Sequence, residues 1–108
     1  MQISITTRHG DATPAIEEYI QKKAEKLPRY FDRVSAIEII LDHQKSEHLI
    51  ECIVSIQHGE PQVSHASSDD MYAAIDQCTD RAIRQLTDLK SRLLDHRDHR
   101  HHTRAGDE

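Results

Sequence analysis

Lys22, Lys26, Arg29 and Arg33 are spaced i, i+4, i+7 and i+11, and on a helix that spacing lays four cations along one stripe. Tyr19, Lys23 and Tyr30 fill the gap between this stripe and the apolar side of the same segment. Glu17 and Glu25 fall on the far flank and Glu18 on the border, so acids and bases are largely segregated. Solubility alone is served as well by interspersed charge. A basic ridge edged by tyrosine rings suits phosphates and stacked bases. Alone, such a stripe is also what a solvated helix face looks like. A second set of bases, Arg81, Arg84, Lys90 and Arg92, follows on a later helix. There Asp80, Arg84, Asp88 and Arg92 alternate in sign every four residues, the pattern of i,i+4 ion pairs worth a few tenths of a kcal/mol each.

Other chemistries find less support. The chain contains no Gly-rich phosphate loop, nucleophile elbow or carboxylate pair placeable in a cleft, so it reads as a non-enzyme with no cofactor and no small-molecule substrate. Nine histidines are many for 108 residues. His96, His99, His101 and His102 crowd the C-terminal end, and His96 with His99 could chelate a transition metal. No Cys or carboxylate ligand set surrounds them, so a solvated tail with no metal is expected. Protonating all nine histidines would raise the formal charge from −5 to +4, so the tail could instead anchor RNA in a pH-dependent way. His9 with Asp11, or His65 with Asp69, could be drawn as acid–base pairs, but such coincidences are cheap at this histidine content.

The elements that must carry these residues follow from periodicity. Residues 2–7 alternate as a short strand. Thr13-Pro14 marks a helix start, and Ile16, Ile20, Ala24 and Leu27 repeat along its buried side until Pro28 ends or kinks it. The segment Arg29–Arg33 is expected as a looser last turn. Three strands follow: Val34–Asp42 with Ile37, Ile39 and Leu41, Glu47–Gln57 with Ile50, Cys52, Val54 and Ile56, and Gln62–Ser67 with Val63 and His65 on one face. Ser67-x-x-Asp70 has the form of a capping box, with Asp69 and Asp70 in the first turn of the last helix. That helix runs past Leu94 on a stripe of Tyr72, Ile75, Ala82, Leu86, Leu89 and Leu93, with Cys78 on its flank. The order β-α-β-β-β-α predicts an α+β two-layer sandwich in which four strands carry two helices on one face, as in double-stranded RNA-binding domains, with strands one and two parallel. Residues 1–95 form the domain; residues 96–108, rich in histidine, are expected to be a disordered tail.

Composition sets the bounds. At 12.5 kDa and 36% hydrophobic residues, with no Trp and 4% aromatic, one small domain with a lean aliphatic core is expected. No run of 18 apolar residues exists, and the N-terminus lacks the basic and apolar regions of a secretory signal, so a cytoplasmic location is expected. Cys52 and Cys78 lie among apolar residues and read as buried free thiols. A net charge of −5 speaks against nucleic acid as a whole-chain property, but phosphates respond to charge within roughly 8–10 Å.

The segments TPAIEEYIQKKAEKLPRYFDRV and DDMYAAIDQCTDRAIRQLTDLKSRL resemble the ribosome hibernation-promoting factors, also called ribosome-associated inhibitors. DMYAAID with a downstream RQL, and KL-x-x-YFDR from Lys26 to Arg33, carry the resemblance, which covers about residues 1–95. It implies a translation inhibitor that occupies the decoding channel of the small ribosomal subunit, over the tRNA and mRNA sites, in stress or stationary phase. Its implied partners are 16S rRNA and the 70S ribosome, with a small helper factor for ribosome pairing. The implied rRNA contacts are Lys22, Lys23, Lys26, Arg29, Arg33, Arg81, Arg84, Lys90 and Arg92, whereas DMYAAID itself reads as structural. Two departures stand out. Asp88 occupies a position where short family members often carry a base, and the chain ends at Glu108 without the C-terminal domain of long forms or a long acidic tail. The rival readings are a generic double-stranded RNA-binding module, marked by affinity for free duplexes, and a His-rich metal-binding or interaction protein, marked by metal dependence and indifference to ribosomes.

Overall fold

The computed structural model describes the backbone of residues 1–102 and the side chains of residues 1–94; the expectations for the histidine tail, its metal chelation and its pH-dependent anchoring lie outside the described residues. Four strands form one sheet in the order β1 (Gln2–Thr7), β2 (Val34–Gln44), β3 (Glu47–Ile56), β4 (Gln62–Ser68). β1 pairs parallel with β2, and the other neighbours pair antiparallel, as the expected crossover requires. Helices α1 (Pro14–Lys26) and α2 (Met71–His102) cover one face. α2 spans β3 and β4, α1 lies toward β1, and the two helices touch. The predicted α+β sandwich is the observed fold.

Local chemistry accounts for the boundaries. The Thr13 hydroxyl accepts from the Ile16 N–H at 3.2 Å, capping α1 with Pro14 behind it. Pro28 has no N–H, and the chain tightens into a 3₁₀ turn, η1 (Leu27–Tyr30), before Phe31 becomes extended. The looser last turn therefore stops at Tyr30, short of Arg33. At α2 the capping box fails: Asp70 caps the helix itself, its carboxylate accepting from the Tyr72 N–H at 3.1 Å, while Ser68 accepts from the Asp70 N–H. Helix α2 begins at Met71, so neither acid lies in its first turn.

The core joins Ile16, Ile20, Ala24 and Leu27 of α1 and η1 to Ile37, Ile39, Leu41, Ile50, Cys52 and Val54 of the sheet and to Ile75, Cys78, Ala82 and Leu86 of α2. Three expectations shift. Cys78, placed on the flank, is fully buried. Tyr72, placed in the apolar stripe, is 42% exposed, because it points along the α1 side of α2 rather than into the sheet. In β4 the pair Val63 and His65 faces solvent, and the core takes Ser64 and Ala66 instead. Small residues fit there because α2 packs closely on β4: Ser64 donates to the Cys78 carbonyl at 3.1 Å, leaving no buried hydroxyl unpaired at that contact.

Candidate nucleic-acid interface

The nine bases singled out by sequence lie on α1, η1, the turn before β2 and α2, and they differ in what each side chain meets. Lys22 and Lys26 stand one turn apart on α1, both exposed. Arg29 follows on η1 and Arg33 lies in the turn before β2, both exposed. The straight helical stripe thus breaks at Pro28, because a 3₁₀ turn advances each residue by more than an α-helix does. By helical projection Lys90 shares the α2 flank of Asp76 and Ile83, the one turned to α1 and η1, and it too is exposed. Lys22, Lys26, Arg29 and Arg33 thus follow one another along α1, η1 and the next turn, and Lys90 lies on the α2 flank turned toward those elements. Among the described residues these five make one ion pair, Lys22 with Glu18 at 3.8 Å, between two side chains about 70% exposed, which holds neither firmly.

The opposite flank of α2 carries Arg81 and Arg92, with Arg84 and Asp88 turned outward beside them. Arg81, Arg84 and Asp88 line a groove of about 510 Å³ between α2 and β4. The Arg81 guanidinium donates to the His65 carbonyl, and Gln85 donates to the Val63 carbonyl at 2.8 Å. Both acceptors belong to the sheet's edge strand, so these two side chains cover polar groups that would otherwise invite another strand. Part of Arg81's donor capacity is therefore spent on the fold. The i,i+4 ladder expected along Asp80, Arg84, Asp88 and Arg92 closes no ion pair among the described residues. Among the described residues, then, Arg84 and Asp88 share the groove with no ion-pair partner.

Lys23 is engaged within the fold. Its ammonium lies 3.0 Å from the Asp76 carboxylate of α2 and 5.6 Å from the Tyr19 ring centroid. The Tyr19 hydroxyl donates to the same Asp76 oxygen, and Tyr19 meets Tyr72 edge-to-face with ring centroids 4.9 Å apart. Sharing one carboxylate explains the linked ionisations. The hydrogen bond from Tyr19, followed by that from Lys23, holds Asp76 below the usual carboxylate range. The same bonds raise Tyr19 and Lys23 above theirs, Tyr19 with help from burial. Sequence reading missed Asp76 and the Tyr19 hydroxyl, since 57 residues separate them. DMYAAID was legible as a helix start, but nothing local shows which acid meets α1.

The open face of the sheet is the acidic side. Glu38 accepts from Thr6, Asp42 lies 2.6 Å from His9, and Glu51 lies 3.4 Å from His65. The His9 contact and the His43 N–H hold Asp42 below its ordinary value. The two drawn acid–base pairs, His9 with Asp11 and His65 with Asp69, are thus replaced by Asp42 of β2 for His9 and by the cross-strand partner Glu51 for His65. Among the described residues no group of three or more His, Cys, Asp or Glu side chains could hold a metal, and no helix is long and apolar enough to cross a membrane. Cys52 and Cys78 are buried free thiols, as read.

A mixed four-stranded sheet with two helices on one face defines an α+β two-layer domain. Residues 3–94 match the family described as Sigma 54 modulation protein / S30EA ribosomal protein, and the chain belongs to that family. It is 38% identical over 96 residues to the ribosome hibernation promoting factor of Escherichia coli K12, covering 89% of this chain and all of that protein. It is 34% identical to the protein of the same name from Azotobacter vinelandii, covering 88% of both. A ribosomal subunit interface protein from Coxiella burnetii superposes with a TM-score of 0.78 at 30% identity, over 84% of this chain and 99% of that one. The N-terminal domain of Thermus thermophilus Protein Y gives 0.74 at 29% identity, over 82% and 99%.

Proposed function

We propose that this protein is a cytoplasmic, non-enzymatic translation inhibitor that binds the small ribosomal subunit in its decoding channel, over the tRNA and mRNA sites, and stabilises idle ribosomes under stress or in stationary phase. The observation that carries the reading is an exposed cation ridge on the helix layer of a chain that spans the whole length of a ribosome hibernation promoting factor. Lys22, Lys26, Arg29, Arg33 and Lys90 are assigned as the principal contacts to 16S rRNA backbone, with Arg84, Arg92 and in part Arg81 as a second, weaker line. Lys23 is assigned a supporting role through Asp76. Fixed cations on a rigid layer need read no base sequence to grip A-form backbone. Residues 1–95 suffice for this role, and residues 96–108 act as an appendage; a small helper factor is recruited only where ribosomes are paired.

Co-sedimentation with 30S subunits and 70S ribosomes across a salt series tests the reading. Saturation at about one copy per small subunit is expected, with log K falling against log salt at a slope of roughly −3.5 to −4.5 if five phosphates are neutralised. Equal affinity for free RNA duplexes, or no sedimentation at low salt, would overturn it.

A further inference from the structure

We propose that Tyr72 is a stacking platform for an unpaired RNA base, braced by the Tyr19–Asp76–Lys23 cluster. The proposal rests on the RNA-binding reading above and adds a nucleobase contact to a surface otherwise made for phosphates. Helical spacing assigns Tyr72 to the core, yet 42% of it is exposed, whereas neighbouring Ala74 and Ile75 are buried. An unsupported surface ring would be free to turn. This one meets Tyr19 at 79° with centroids 4.9 Å apart, a favoured edge-to-face arrangement. Tyr19 is itself fixed: its hydroxyl donates to Asp76, and Lys23 stands 5.6 Å from its ring centroid. Whichever ring supplies the edge, at least one face of Tyr72 is left uncovered by Tyr19. Tyr19 precedes Lys22 and Lys26 by about one and two turns of α1, so the held ring stands at the start of that row. An aromatic face leading into a line of cations is the combination that binds single-stranded RNA, where the backbone follows the charges and a base lies on the ring. Bases inside an A-form duplex are already stacked, so the ligand is a splayed, unpaired base, and any of the four would serve.

The chain contains no Trp, so Tyr72→Trp creates a single emitter at the site. Its fluorescence is expected to be quenched on saturation with 30S subunits and on titration with a poly(A) oligonucleotide. Tyr72→Phe and Tyr72→Trp should bind 30S subunits as the parent does, while Tyr72→Leu and Tyr72→Ala should lose roughly five- to hundredfold. Leu keeps an apolar side chain without a π face, so a residue needed only for packing would be rescued by it. Melting curves of all four variants separate affinity from stability. Parent-like binding by the Leu and Ala variants, or unchanged Trp emission at saturation, would overturn the proposal. If Lys26→Glu with Arg29→Glu leaves 30S binding intact, the RNA-backbone reading fails instead. Quenching by poly(A) without any 30S binding would sustain stacking and remove the ribosome, and silence in every arm would overturn both.

Discussion

Asp76 decides what Lys23 is for. With its ammonium 3.0 Å from that carboxylate, Lys23 ties α1 to α2 before it can meet any phosphate. Asp76→Asn should cost about 1 kcal/mol, since the bonds are charge-assisted but partly exposed and screened, lowering the melting temperature by roughly 4–8 °C. The pH dependence follows from the direction of each shift. Asp76 is held low, so its contribution is complete above the ordinary carboxylate range and fades as pH falls through its folded value. Lys23 is held high, so its contribution is complete below the ordinary lysine range and fades only in strong alkali. Melts of parent and Asp76→Asn should therefore differ by a constant amount across neutral pH and converge in acid. The thiols give a second check. Burial pushes Cys52 up to about 12 and Cys78 upward as well, so neither should react with a thiol reagent at pH 8 until denaturant exposes them.

At the scale of elements, β4 is the exposed margin of the sheet and α2 is what guards it. Arg81 and Gln85 cover the outward carbonyls of His65 and Val63. Replacing both with Ser should change stability modestly, because the bonds are exposed, but should promote concentration-dependent association through the freed edge. Light scattering of the double variant against the parent at matched concentration would show this, and an unchanged monomer would refute it. The α1–η1 junction is the other decisive element. Pro28 was legible as a break, but its effect on Arg29 and Arg33 depended on whether the chain kinked, stopped or tightened, and local sequence leaves those outcomes close in energy. Packing of Leu27 and Phe31 into the core selects the 3₁₀ turn.

For the molecule as a whole, the net charge of −5 conceals a polarity. Three sheet acids are occupied with partners on the open face, where Arg8 also lies, and the helix layer carries the exposed cations Lys22, Lys26, Arg29, Arg84 and Lys90 among exposed acids such as Glu18 and Asp88. On the proposed reading, in which RNA is bound through that layer, the cations are expected to contribute unequally. Charge reversal at Lys26 and Arg29 should weaken small-subunit binding at least tenfold and flatten the salt slope by about two. Reversal at Arg84 should cost less, since Asp88 already opposes phosphate in that groove. Competition binding at fixed salt ranks them.

Much of this was written in local order. The strands, Thr13 cap, Pro14 start and the core stripe Ile16–Ile20–Ala24–Leu27 follow from periodicity and backbone chemistry, which act between near neighbours. So does the motif likeness, since it is a property of the chain. What tertiary structure alone decided is which of two plausible roles each polar or aromatic residue takes. Val63 and His65 share a face by alternation, but only the docking of α2 shows that face to be the wet one. Tyr72 lies within reach of the apolar stripe, but only the position of α1 draws it out beside Tyr19. Lys23 differs from Lys22 by one residue in sequence, and only a carboxylate from another helix separates the strut from the exposed cation. Local rules set the direction of each side chain about its own axis, and the neighbour it meets there is set by how the elements pack.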